Sequence, residues 1–247
     1  MKNFILFFVF IHFTSNGFGQ MLLNQDGEAF TTDPFFNADF IKNNKIKTIK
    51  GTYSFKKNKD LIRKVPGSYT YEFNKKGRLS SSIDIRWNGK TLDTTLQYYE
   101  YNQLGAITTL KKSENNGITL QEFLRDSLNR ITSTSNYRVT LNENGEVVKK
   151  NEMNTETMRY SNEKRTTYNS YNLPYLISYD KYNEDGYKTS SIDKLKMGGT
   201  IYKKKYDYNN KGLLISIETF YDTHPDPVEE LKFKYDAFGN LMERHEF

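Results

Sequence analysis

One stretch decides the fold: Lys232-Phe233-Lys234-Tyr235-Asp236-Ala237-Phe238-Gly239-Asn240-Leu241. It contains a template of an aromatic residue, Asp or Asn, two variable residues, Gly, one variable residue and an aliphatic residue. The Asp or Asn side chain can accept a hydrogen bond from the backbone two residues on, which starts a type I turn. The Gly supplies the positive φ of the bulge residue that follows such a turn. The template therefore predicts a β-hairpin.

The template recurs through most of the 247 residues. Five clean copies begin at Phe73, Tyr101, Leu141, Tyr208 and Tyr235, and three copies that lack the Gly or the aliphatic residue begin at Arg125, Tyr168 and Tyr182. Asn replaces Gly in two of these three, and Asn is the next-best residue at positive φ. The spacings from Asn74 onward are 28, 24, 16, 27, 14, 26 and 27 residues, and we interpret the two short ones as insertions of a second register.

A second kind of turn falls between the copies. Trp87-Asn88-Gly89-Lys90 has the pattern of a two-residue hairpin turn, and weaker turn signals lie at Asn115-Asn116-Gly117, Met197-Gly198-Gly199 and Pro225-Asp226-Pro227. Each period then contains two strands. The sequence predicts an all-β fold: an antiparallel meander of repeated β-hairpins, in an extended or curled sheet, with a short N-terminal helical cap.

Two structural expectations follow from the template. Positive φ is expected at Gly77, Gly105, Gly145, Gly212 and Gly239. The aromatic residues on the template side of each strand should be more buried than their polar neighbours, because strand side chains alternate between two faces. These residues are Tyr71, Phe73, Tyr99, Tyr101, Tyr206, Tyr208, Phe233 and Tyr235.

The run Tyr235-Asp236-Ala237-Phe238-Gly239-Asn240-Leu241 resembles the YD repeat of Rhs-type proteins, with weaker similarity over roughly residues 69–247. Proteins of that type are bacterial and far longer, and they wind such hairpins into a closed shell around a toxic C-terminal segment. This chain has too few repeats to enclose a cargo. The resemblance therefore implies the hairpin scaffold and not toxin delivery.

The first 44 residues differ from the repeats. Residues 1–19 have the pattern of a signal peptide: Lys2, an apolar run from Phe4 to Phe13, and small residues before Gln20. This predicts an exported protein, periplasmic or extracellular, with no membrane span after cleavage.

Residues 20–44 are interpreted as a cap segment and residues 45–247 as a single repeat domain. Asp33-Pro34 is a helix-start signal, and it predicts a short helix that covers one end of the sheet with Phe35, Phe36, Phe40 and Ile41. The first strand is expected within residues 45–56, and Pro66-Gly67 is expected to form a turn.

Composition narrows the function classes. The absence of Cys excludes thiol chemistry and disulfides, so strand pairing and the packing of the 19 Tyr and of the 11 Phe that follow residue 19 must hold the fold together. Loss of Lys2 with the signal peptide lowers the net charge from +6 to +5. The positive charge is spread along strands, with Lys203-Lys204-Lys205 as the densest run, so we predict no nucleic-acid binding, and attraction to anionic envelope polymers is left open as a milder alternative.

No catalytic, cofactor or metal site is predicted. His224 and His245 lack a third partner at suitable spacing and are interpreted as surface residues. The segments 142–145 and 183–186 superficially resemble calcium loops but have too few carboxylates. Asp84 and Asp93, on either side of the Trp87 turn, remain open as a pair for glycoside cleavage.

Trp87, Tyr98 and Tyr179 are the candidate ligand platform, because the two tyrosines are out of phase with the template aromatics and should face outward. The alternative, which the pattern favours, is that Tyr only serves as an amphipathic strand former in a half-exposed sheet. The sequence favours a non-catalytic exported scaffold or binding protein, with a protein or an envelope glycan as partner. One alternative is an enzyme that acts on polysaccharide or peptide. Another is an accessory relative of Rhs-type toxin systems. The oligomeric state is left open.

Overall fold

The structure is a computed structural model, and it describes residues 36–55, 61–115, 117–197, 199, 201–222, 224–237, 239 and 241–247. The predicted signal peptide, residues 1–19, and the first part of the predicted cap segment lie outside the described residues.

In the described part of the chain, fifteen strands form one antiparallel sheet in which each strand pairs with its neighbours in the sequence. The strands are β1 (Thr48–Phe55), β2 (Arg63–Phe73), β3 (Leu79–Trp87), β4 (Leu92–Tyr101), β5 (Ile107–Glu114), β6 (Gly117–Arg125), β7 (Ile131–Leu141), β8 (Val147–Ser161), β9 (Lys164–Tyr168), β10 (Pro174–Tyr182), β11 (Lys188–Leu195), β12 (Ile201–Tyr208), β13 (Leu214–Tyr221), β14 (Glu229–Tyr235) and β15 (Leu241–Glu246). Within residues 36–47 of the described chain, one helix, α1 (Ala38–Asn43), precedes them. The predicted all-β meander with a short N-terminal helix is confirmed, and among the described strands β1 and β15 do not pair, so the sheet is not closed.

The template turns share one geometry. In the first, the N–H of Asn74 donates to the carbonyl of Arg78, and the N–H of Gly77 donates to the carbonyl of Asn74. The Asn74 side-chain oxygen also accepts from the backbone N–H groups of Lys76 and Arg78. Both backbone bonds recur in the turns at Asn102, Asp126, Asn142, Asn169, Asn183 and Asn209.

The predicted backbone conformation of these turns is confirmed. All five template glycines have positive φ, between 73° and 95°. Asn129 and Asn172, which replace Gly in two copies, also have positive φ, at 63° and 57°. Asn tolerates this conformation because its short polar side chain can hydrogen-bond locally.

The two short spacings have a different cause from the one we expected. A normal interval contains two strands, but the intervals from Asp126 to Asn142 and from Asn169 to Asn183 contain one strand each, β7 and β10. A single strand carries the chain to the opposite end of the strands. The turns at Asn142 and Asn169 therefore lie at one end of the strands, and the other template turns lie at the opposite end.

The aromatic core lies on one face, which we call the core face; the other is the outer face. Phe73, Tyr99, Tyr206 and Phe233 are between 4% and 9% exposed, whereas their neighbours Glu72, Glu100, Lys205, Asp207, Lys232 and Lys234 are exposed. The remaining template aromatics, Tyr71, Tyr101, Tyr208 and Tyr235, are half-buried. The predicted one-sided aromatic core is confirmed for both ends of the chain.

The sheet curls toward its core face. The first core cluster combines Phe36 and Ile41 with residues of β2, β3 and β4, and the second is centred on Leu214 in β13. Leu241 of β15 packs against both clusters. In a flat sheet with strands about 4.8 Å apart, β4 and β15 would be about 53 Å apart, so the contact requires strong curvature.

Two local predictions at the N-terminal end were wrong. Helix α1 begins at Ala38, not near Asp33-Pro34, because the Asn37 side-chain oxygen accepts from the N–H groups of Asp39 and Phe40 and caps the helix there. Pro66-Gly67 lies inside β2 and forms no turn. Since Thr52 pairs with Ser68 and Ser54 with Lys64, this stretch is a bulge, where a residue without an N–H is tolerated.

Tyrosine hydroxyls link successive hairpins. Tyr101 donates to the carbonyl of Leu79, Tyr208 to that of Lys188 and Tyr235 to that of Leu214. In each case the acceptor is the last residue of the preceding copy of the template. The turns of the two copies lie at the same end of the strands. These three template tyrosines are thus hydrogen-bond donors between repeats as well as half-buried residues of the core face.

Stability is expected to fall as the pH rises from about 10 to about 12. Burial raises the pKa of Tyr235 from 10.0 to about 12, because the fold favours the neutral phenol. A raised pKa of this kind contributes stability that is fully present below pH 10 and is lost as the pH passes the folded-state value. In thermal unfolding measured from pH 8 to pH 12, Tyr235→Phe should reduce the fall in stability that occurs above pH 10. Tyr171→Phe, at a side chain 83% exposed, should leave the loss unchanged, and equal effects would contradict the assignment.

Candidate binding surface on the outer face

Tyr179 lies in β10 at the centre of a patch on the outer face. It pairs with Lys164 of β9 on one side and with Ile192 of β11 on the other, and Ile192 pairs with Lys203 of β12. Paired residues of antiparallel strands share a face, so these four side chains form one row across four strands. Tyr179 is 38% exposed.

Cations surround this row. The neighbouring rows on the same face contain Ile177 paired with Lys194, and Ser190 paired with both Lys181 and Lys205. Arg159 of β8 completes the set through its pairing with Thr166, and its guanidinium lies 4.5 Å from the centre of the Tyr168 ring. We call this surface the Tyr179 patch: Tyr179, Ile177 and Ile192 with Arg159, Lys164, Lys181, Lys194, Lys203 and Lys205.

The carboxylates of the strand segments that form the patch lie on the core face. Asp180 and Asp193 alternate with the outward residues of β10 and β11, and Asp180 lies 3.5 Å from the ammonium group of Lys188. Just before the patch in β8, Glu156 accepts a hydrogen bond of 2.6 Å from the Tyr175 hydroxyl. Over residues 159–161, 164–168, 174–182, 188–195 and 201–205, all of which the structure describes, no carboxylate occupies the outer face.

Acidic side chains of the outer face lie at the border of the patch. Asp207 follows Lys205 two residues on in β12, and Glu218 of β13 lies 3.8 Å from the Lys205 ammonium group. Lys205 also lies 4.6 Å from the centre of the Phe220 ring. The positive potentials of the six cations add across the interior of the patch and are screened by salt, since the surface is open to solvent.

The three predicted platform residues do not converge. All three lie on the outer face, as the phase of the two tyrosines predicted for Tyr98 and Tyr179, but Trp87 and Tyr98 belong to the β3–β4 hairpin. Trp87 is 46% exposed, and Tyr98 is 45% exposed with the Lys111 ammonium group 5.1 Å from its ring centre. Six strand spacings separate β4 from β10, or about 29 Å along the sheet. Only Tyr179 lies within a concentration of cations.

Asp84 and Asp93 lie on the core face of β3 and β4, where Asp84 pairs with Thr95 and Asp93 with Arg86. Both oxygens of Asp84 are occupied, by the Tyr53 hydroxyl at 2.7 Å and by Arg86 Nε at 2.8 Å. Asp93 accepts from the side-chain amides of Asn88 and Asn115. Both carboxylates therefore act as hydrogen-bond acceptors for neighbouring side chains of the sheet and its turns.

Burial and the hydrogen bond to Asp84 raise the pKa of Tyr53 to about 12, so its hydroxyl remains a proton donor to the carboxylate. Tyr53 stacks obliquely on Tyr69, 5.6 Å between ring centres, and the Arg86 guanidinium lies 5.3 Å from the Tyr53 ring centre. This network links the core-face side chains of β1, β2 and β3.

The histidines lie on the surface, as predicted. His224 is an exposed residue of the β13–β14 connection, and His245 contacts Glu243 at 2.8 Å in β15. Hydrogen bonds from Lys234 and then His245 lower the pKa of Glu243 to about 2.

The segments that resemble calcium loops are hairpin turns. The side-chain oxygen of Asn142 accepts from two backbone N–H groups of its own turn, and Asn183 accepts in the same way from Tyr187. Within the described part of the chain, no three His, Cys, Asp or Glu side chains are grouped closely enough to hold a metal ion.

The sequence did not reveal the Tyr179 patch because its members are distant in the chain. The dense run Lys203-Lys204-Lys205 is divided between the faces, with Lys204 on the core face and its two neighbours outside. The other cations come from four different strands, and only the register aligns them. The sequence did contain one signal of the patch: at every second residue of β10–β12, lysine occurs beside Tyr or Ile, so these residue types share one face.

The comparisons with known proteins gave structural likeness only. No protein-family model and no curated protein matches the chain. A Tc holotoxin pore of Photorhabdus luminescens is 13% identical, with a TM-score of 0.29, over 75% of this chain and 11% of that one. TcdB2–TccC3 without its hypervariable C-terminal region is 14% identical, with a TM-score of 0.29, over 74% of this chain and 9% of that one.

A porin-like protein from Bacteroides uniformis is 11% identical, with a TM-score of 0.35, over 81% of this chain and 93% of that one. The chain thus has a weak structural likeness to Tc toxin chains and spans about a tenth of their length. Since every TM-score is below 0.5, no property of these proteins is transferred to this chain. Among the described residues, no helix is long and apolar enough to cross a membrane.

Proposed function

We propose that this chain is an exported, non-catalytic binding protein that holds an anionic polymer on its outer face. The observation that carries the proposal is the segregation of charge across the segments of β8–β12 that form the patch. Six cations surround Tyr179 on one face, and the carboxylates of the same segments lie on the other. A sheet surface of this kind attracts a polyanion over several contacts at once, each of them weak alone.

Export is part of the proposal and is supported by the N-terminal pattern of Lys2, the apolar run and the small residues before Gln20. Anionic polymers of the cell envelope would then be accessible partners. The hairpin scaffold supports this role because each strand of the patch is held on both sides, so the outward side chains project from a rigid surface.

The test is titration of the protein with polygalacturonate at low and at physiological salt. The charge-reversal variant Lys194→Glu/Lys203→Glu/Lys205→Glu should bind about a hundredfold more weakly, since each lysine near an anionic surface contributes about 1 kcal/mol. Binding by the unmodified protein should weaken with salt and remain measurable at physiological strength.

The matched control is Lys75→Glu/Lys76→Glu/Lys90→Glu, which changes the net charge equally at exposed turn residues far from the patch. At physiological salt this control should bind within about threefold of the unmodified protein, because charges beyond a Debye length of about 8 Å are largely screened there. If both variants lose affinity equally, bulk charge explains the attraction and the assigned surface is wrong. Failure of the unmodified protein to bind any polyanion would overturn the function itself.

A further inference from the structure

We infer that the anionic polymer is an acidic polysaccharide that crosses the strands, with a sugar ring stacked on Tyr179. This inference rests on the proposed function and names the ligand class of the same site. It depends on two features of the patch that are not needed to bind a polyanion in general. One is the spacing of the lysines, and the other is the apolar centre.

The lysines form a series across the sheet. Each of the four consecutive strands β9–β12 contributes at least one outward lysine: Lys164, Lys181, Lys194, and Lys203 with Lys205. Neighbouring strands lie about 4.8 Å apart, so cations recur at that interval in the direction perpendicular to the strands. A polymer with one carboxylate on each successive ring, lying across the strands, can place successive charges against successive lysines.

The centre of the patch is apolar. Tyr179 is flanked by Ile177 in its own strand and by Ile192 in the next, so that its ring stands in a small apolar area among the cations. A polyphosphate or polyglutamate chain offers nothing to an aromatic face. A pyranose ring does, because its C–H face packs on the aromatic ring while its hydroxyl and carboxylate groups reach the polar surroundings. Tyr supplies such contact area at low cost in conformational entropy.

Tyr98 provides a matched comparison. It is also a partly exposed tyrosine of the outer face with a lysine, Lys111, beside it, but its pairing partners are Ser81 and that lysine alone. It lacks the surrounding series of cations. A tyrosine of similar exposure on the same face is therefore available as an internal control.

The experiment measures binding of polygalacturonate, polyglutamate and polyphosphate, matched in charge, to the full chain and to Tyr179→Ala, Tyr179→Phe and Tyr98→Ala. Loss of one stacking ring should weaken polygalacturonate binding by about tenfold in Tyr179→Ala. Tyr179→Phe keeps the ring and should bind within about twofold, as should Tyr98→Ala. Binding of polyglutamate and polyphosphate should be the same for all four proteins.

The outcomes distinguish failure of the saccharide assignment from failure of the proposed polyanion-binding function. If all three polymers bind equally and none depends on Tyr179, the outer face is a general polyanion surface and the saccharide assignment is wrong. If Tyr179→Ala weakens all three polymers equally, the ring supports the fold of the patch and stacks on no sugar. If none of the polymers binds the unmodified protein, both proposals fail together.

Discussion

Leu214→Ala is expected to destabilise the fold by about 2–5 kcal/mol, the usual range for removing a fully buried leucine side chain. Leu214 is 0% exposed and lies in the second core cluster with Tyr206, Ile217 and Phe233. Its backbone carbonyl also accepts the Tyr235 hydroxyl, so collapse of the cavity would disturb the link between the last two hairpins. The neighbouring strands are held by their own ladders and can close the cavity only in part.

Equilibrium unfolding in urea provides the measurement, with Ile215→Ala as the control. Ile215 is the next residue of the same strand, lies at the bulge beside Leu214 and is 38% exposed, so its truncation should cost less than about 1 kcal/mol. The slope of the unfolding free energy against urea should be the same for both variants. A cost for Leu214→Ala no larger than that for Ile215→Ala would show that the curled core contributes little to stability.

Gly77→Ala is expected to cost about 3 kcal/mol or more, well above the strain of a non-glycine residue at positive φ, which is about 1–2 kcal/mol. Gly77 has φ +77°, and a Cβ there would lie 2.0 Å from the carbonyl oxygen of Ala38 in helix α1. Backbone atoms cannot rotate away as a side chain can. The helix would have to shift, and the burial of Phe36 and Ile41 against the first core cluster would be weakened.

The control for this prediction is Gly145→Ala. Gly145 occupies the same position of another template turn, with φ +79° and nothing within 4 Å of an added Cβ, so it reports the backbone strain alone. The difference between the two variants in thermal or urea unfolding measures the docking of the helix. Equal destabilisation would mean that α1 contributes no stability to the sheet.

The turns were predictable because their chemistry is local. Asn or Asp, followed three residues later by Gly or Asn, determines the hydrogen bonds of each turn, and Asn74 shows every one of them. The aromatic face was predictable for the same reason, since alternation in a strand needs no knowledge of its neighbours. Both kinds of information are contained in about ten consecutive residues of the template stretch.

Features that depend on distant partners were not predictable. The Asp33-Pro34 signal is generic, whereas Asn37 caps α1 at the position from which the helix contacts the Gly77 turn. The bulge at Pro66-Gly67 depends on the register with β1. The Tyr179 patch depends on the register of five strands, and the curl depends on a contact between β15 and the N-terminal cluster.

Each single-strand interval inverts the frame of the template, that is, the face of the sheet to which the template residues point, and the second interval restores the frame that the first one inverted. After the first, template residues Leu141 and Tyr168 point to the outer face; after the second, Tyr208 and Tyr235 point to the core face again. Adding or losing two strands would preserve the frame, whereas adding or losing one would invert every later copy. The inverted segment, residues 142–182, supplies Arg159, Lys164, Tyr179 and Lys181, and the strands after it supply Lys194, Lys203 and Lys205, so the exposed cationic surface spans the point at which the original frame returns.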